Sequence, residues 1–87
     1  MSIPIDLLKL CCLMSFLDSL PLGGARLGAR IQIAYHASHE IDRAIEKGGL
    51  TDVHEIVNAV RGRIQPLALL EIEIDHRAQE RTKEEQQ

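Results

Sequence analysis

Apolar residues crowd the N-terminal stretch of the chain, then thin into periodic stripes separated by glycine and proline. The first stretch runs from about Ile3 to Ser19. It is apolar nearly all round a helical wheel, with Leu7, Leu8, Leu10, Leu13, Met14, Phe16 and Leu17 among its members. Ser2 stands where a helix cap belongs, and Pro4 is tolerated in a first turn because its missing N–H has no intrahelical partner there. A helix apolar on every side needs cover on every side. Leu20-Pro21-Leu22-Gly23-Gly24 ends it.

The second stretch, from about Ala25 to Lys47, is the most regular. Leu27, Ile31, Ala34, Ser38, Ile41 and Ile45 follow one another at alternating steps of four and three, the spacing of a heptad seam. Ala34 and Ser38 keep the middle of that seam small, with Ala37 and Ala44 beside it, so another helix can approach closely. Gly48 and Gly49 supply the stop. The third stretch opens at Thr51-Asp52, where Asp52 and Glu55 have the spacing of an acidic capping box. Val53, Ile56, Val57, Val60 and Ile64 form its apolar face, and it is expected to close at Gln65, ahead of Pro66.

The fourth stretch, Pro66 to about Lys83, is ambiguous. Leu69 to Asp75 partly alternates and reads as a strand that would need a second copy of the chain for pairing. The helical reading rests on Leu67, Leu70, Ile74 and Ala78 on one face, and on Glu73 and Arg77 at i,i+4. The spacing favours helix. These stretches predict an all-α fold: about four helices in a compact antiparallel bundle, self-associating or partner-bound, over residues 1–81. Residues 82–87 are expected to form a polar, frayed tail.

Composition narrows the functions open to such a bundle. The chain has 87 residues, one Phe, one Tyr and no Trp, so stacking platforms for bases are nearly absent. Ten basic and thirteen acidic side chains leave a net charge of −3, unlike the clustered basic surface of a nucleic-acid binder. Read as a helix-turn-helix, residues 41–60 would place Arg43, Lys47 and Gly49 where apolar residues belong. The uncharged run between Lys9 and Asp18 is far shorter than the ~18–20 residues a membrane span requires. No basic start precedes it, as a signal peptide would need. Neither nucleic acid nor membrane is expected as a partner.

Cys11 and Cys12 are adjacent, a poor arrangement for a bridge on a helix, and read as two small buried hydrophobes in a reducing, cytoplasmic setting. His36, His39 and Glu40 do not have the zinc-protease spacing, and Asn58 stands where His54-Glu55 would need a second histidine. Glu73 and His76 reproduce half of a di-iron motif that only a symmetric dimer would complete. No nucleophile elbow or Walker lysine occurs. The expectation is a non-enzyme without cofactor or metal.

The most suggestive local feature is Gly23-Gly24-Ala25-Arg26-Leu27-Gly28-Ala29-Arg30. Two arginines at a helix start oppose the helix dipole and call for an anion. That anion is an internal carboxylate (Glu71, Glu73 or Asp75), a partner's acidic patch, or a phosphate ligand. The leading expectation is a small interaction module, an adaptor, regulator or inhibitor of a larger protein or a homo-oligomer. Its partner-binding residues are Arg26, Leu27, Arg30, Ile31, Ala34, Ser38, Ile41 and Ile45. The alternatives are a phosphate or nucleotide binder at Gly23–Arg30 and a dimeric metal-binding bundle.

Overall fold

A computed structural model describes residues 4–85. Among them the chain is all helix and turn, with α1 over Ile5–Asp18, α2 over Leu27–Glu46 and α3 over Val53–Glu85. Three helices therefore replace the expected four. The expected cap at Ser2 and the helix start at Ile3 lie outside the described residues, as do Gln86 and Gln87. The molecule is elongated, 58 × 20 × 16 Å, rather than compact. Its length follows from α3, whose 33 residues span about 50 Å at 1.5 Å per residue.

Pro66 sits inside α3, where the sequence predicts a break. Proline in a helix interior loses one hydrogen bond and presses its ring against the carbonyl four residues earlier. Here that residue is Gly62, and both Gly62 and Pro66 lie on the exposed side, where water can serve the freed carbonyl. The opposite side carries Val60, Ile64, Ala68 and Ile72, all buried and each four residues from the next. That unbroken line of burial spans the proline, so packing outweighs the local preference. The same continuity removes the strand alternative for Leu69–Asp75, and residues 82–85 continue the helix.

The core joins Leu8, Cys12, Phe16 and Leu20 of the first segment, Ile33, Ala37 and Ile41 of α2, and the α3 line. Phe16 is fully buried and fills the centre among aliphatic side chains. Burial of such a side chain contributes about 1.5–3 kcal/mol. On α1 the buried positions recur every fourth residue. Its remaining apolar residues are not all covered: Ile5, Leu7, Leu10 and Met14 stay about half exposed. Cys12 is buried but Cys11 is exposed, which corrects the expectation of two buried thiols.

Both turns use glycine at positive φ, Gly24 at 82° and Gly49 at 66°, a region where a side chain is strained. After α2 the N–H of Leu50 reaches back to the Ala44 carbonyl at 3.2 Å. Asp52 then accepts the Glu55 N–H at 3.2 Å, so the predicted acidic cap starts α3. Lys9 of α1 pairs with Asp42 and Glu46 of α2 at 3.0 and 3.5 Å.

Candidate functional site

The glycine-arginine turn is held from within the chain. Leu20 is buried and anchors the segment after α1, and the N–H of Ala25 closes a turn on the Leu22 carbonyl at 3.0 Å. Arg26, extended at φ −71° and ψ 159°, precedes α2 without a side-chain cap of its own. The missing cap arrives from α3. Asp75 accepts the Arg26 backbone N–H at 3.0 Å on Oδ2 and the Arg26 Nε–H at 2.7 Å on Oδ1. Gln79 Nε2 donates to the same Oδ2 at 2.7 Å and to the Gly24 carbonyl at 2.9 Å.

Asp75 is only 7% exposed. Such burial is tolerated when the charge is paired and hydrogen-bonded. The Arg26 backbone N–H, then its guanidinium, then Gln79 favour the carboxylate, and together they overcome the desolvation that opposes it. They hold Asp75 at about 2, against an ordinary 3.8. The anion called for at the start of α2 is therefore Asp75. Arg30 also turns inward: Nε–H donates to the Ala25 carbonyl and a terminal N–H to the Leu22 carbonyl, both at 3.0 Å. These internal oxygens take the Nε–H of both arginines and one terminal N–H of Arg30, while the other terminal N–H groups make no hydrogen bond among the described residues.

The predicted seam on α2 divides in two. Ile41 is buried and Ile45 half-buried, where α1 lies alongside. Ala34 and Ser38 are half-buried, and Ser38 lines a groove with Leu10 and Leu13 of α1. Leu27 and Ile31 stand 71% and 56% exposed. The line that enters the core is instead Ile33, Ala37 and Ile41, at steps of four. The exposed half gains a neighbour that sequence reasoning missed: Tyr35, 59% exposed. Its ring meets those of His36 and His39 edge-on at 5.8 and 4.5 Å between centroids. The outer face of α1 adds Leu7, Leu10 and Met14, for which the all-round apolar pattern was the available signal.

The opposite edge of α2 forms a second groove with α3, a cavity of about 400 Å³. Ile33, Ile64 and Ala68 lie along its floor, with His36, His39 and Glu40 on one side and Leu67, Leu70, Glu71 and Ile74 on the other. The sequence places Leu67, Leu70, Ile74 and Ala78 on one face of a fourth helix, and the first three of them are exposed. They point outward because Ala68, Ile72 and Asp75 take the core positions once α3 is continuous.

All four histidines are exposed. Among the described residues no group of three His, Cys, Asp or Glu side chains is placed to hold a metal ion. Among them, too, no helix is long and apolar enough to cross a membrane. Burial first, then the neighbouring Cys11 and Asp52, pushes the Cys12 thiol up, which disfavours the nucleophilic thiolate. In comparisons with known proteins the chain matches no family model, no curated protein and no solved structure.

Proposed function

We propose that this chain is a small non-enzymatic interaction module, an adaptor, regulator or inhibitor of a larger protein, acting in the cytoplasm through the surface of α1 and α2. The observation that carries the reading is the exposure of Leu7, Leu10 and Met14 on α1 and of Leu27, Ile31 and Tyr35 on α2. Apolar side chains massed on neighbouring faces are a feature of protein contact sites, whereas isolated ones are ordinary. Tyr35 adds a rigid ring with a polar tip, a residue type favoured at interfaces. We also read the helices as antiparallel: Lys9 early in α1 meets Asp42 and Glu46 late in α2, and Arg26 before α2 meets Asp75 far along α3.

The test is a comparison of the proteins retained from lysate by immobilised wild type and by Ile31→Glu. A partner retained by the wild type and lost with the variant supports the reading. Identical retention by the two would count against the α1–α2 surface.

A further inference from the structure

We propose that the groove between α2 and α3 seats a fourth helix supplied by another protein, apolar on one face and cationic where it meets Glu40 and Glu71. This goes beyond the α1–α2 surface and does not depend on it. The α2–α3 pair has two edges. Ser38 and Asp42 on one edge of α2 face α1, whereas His36 and Glu40 on the other line the open groove. Each pair of helices in a three-helix arrangement leaves an outer groove, and that of α2 and α3 is lined by Ile33, Ile64 and Ala68 together with exposed leucines.

The groove has the form a helix requires. Leu67, Leu70 and Ile74 make one wall at i, i+3 and i+7, and His36 and Glu40 stand one helical turn apart on the other. Ridges at these spacings accept the side-chain ridges of a further helix. From Leu67 to Ile74 the wall rises about 10 Å, or two turns of an occupant.

Charge specifies the occupant. The half-buried Glu71 has no hydrogen bond or ion pair among the described residues, although it stands between apolar side chains. Glu40 has a buried Oε2 without a hydrogen bond, and the nearest compensation is the Arg63 guanidinium at 3.6 Å. No lysine or arginine lines this stretch of the groove; Arg43, Lys47 and Arg63 stand where it continues past Glu40. Glu71, unpaired in this apolar channel beside a Glu40 that only Arg63 meets, calls for a lysine or arginine flanked by apolar side chains. An acidic helix would bring like charges together, which disfavours it.

The experiment uses the full chain and two fluorescent synthetic peptides of about fourteen residues. Both carry leucine at i, i+3 and i+7; one has lysine and the other glutamate at the intervening positions. Anisotropy titrations should give at least ~10-fold tighter binding of the lysine peptide. Leu70→Glu should remove that binding, Glu71→Lys should reverse the preference, and Ile31→Glu on the other face should leave it unchanged. Equal affinity for the two peptides, or binding indifferent to both groove variants, would overturn the proposal. So would a wild-type mass of twice 9.7 kDa that Leu70→Glu halves, since the occupant would then be a second copy.

Discussion

Arg26 and Asp75, 49 residues apart in sequence, share two hydrogen bonds that fasten the start of α2 to the C-terminal half of α3. One carboxylate thereby takes up a free N–H at the helix start and balances the arginine that opposes the dipole. Asp75→Ala is expected to lower the melting temperature more than Arg26→Ala. The first leaves the Arg26 side chain and the α2 start without their acceptor, with Gln79 keeping only the Gly24 carbonyl; the second still leaves Asp75 the Arg26 backbone N–H and Gln79. Melts followed by circular dichroism check the order.

The same pair predicts an acid limb. Asp75 is held at about 2 in the folded chain, below its ordinary 3.8. A depressed carboxylate contributes stability above its unfolded value and loses it as pH falls through the folded one. Wild-type stability should therefore decline between about pH 4 and pH 2, and the decline should be shallower in Asp75→Asn. Parallel acid titrations of the two would contradict this.

Pro66 gives a test of how α3 is held. The usual local cost of a proline inside a helix relative to alanine is about 3 kcal/mol, lessened here by exposure of Gly62 and Pro66. Pro66→Ala should stabilise the chain by about 1–3 kcal/mol in urea unfolding without a change of fold. Destabilisation would mean that the proline holds a bend on which the α3 packing depends.

Much of the helical content was legible in the spacing of apolar residues, and Asp52 was legible as a cap. The joint at Pro66 was not, because local rules mark a boundary while the line Val60–Ile64–Ala68–Ile72 is recognisable only once a neighbour is present to bury it. The core face of α2 was not legible for a related reason. Alternating steps of three and four follow a straight stripe, but Ile33, Ala37 and Ile41 at steps of four also fit one face. Only the position of α1 distinguishes them. Asp75 was one of three candidate anions, and nothing local separates it from Glu71 or Glu73.

That reassignment predicts different core substitutions. Ala37 is fully buried, whereas Ala34 and Ser38 sit at the edge of the bundle. Ala37→Leu should cost about 1–3 kcal/mol through overpacking, more than Ala34→Leu or Ser38→Leu. Equal losses in chemical denaturation would place Ala34 and Ser38 in the core beside Ala37.

The two thiols should behave differently despite their adjacency. Cys11 is exposed and Cys12 buried. A thiol reagent applied to the native chain should modify Cys11 promptly and Cys12 only at the rate of unfolding. Prompt modification of both would place Cys12 outside the core.

The proposed function requires the apolar surface of α1 and α2 to engage another protein. Its test is the native mass in lysate, compared with that of the purified chain and of Leu10→Glu/Ile31→Glu. A wild-type species heavier in lysate than alone, and reduced in the variant to the size of the purified chain, is the predicted result. A wild type that keeps a mass of 9.7 kDa in both settings would contradict it.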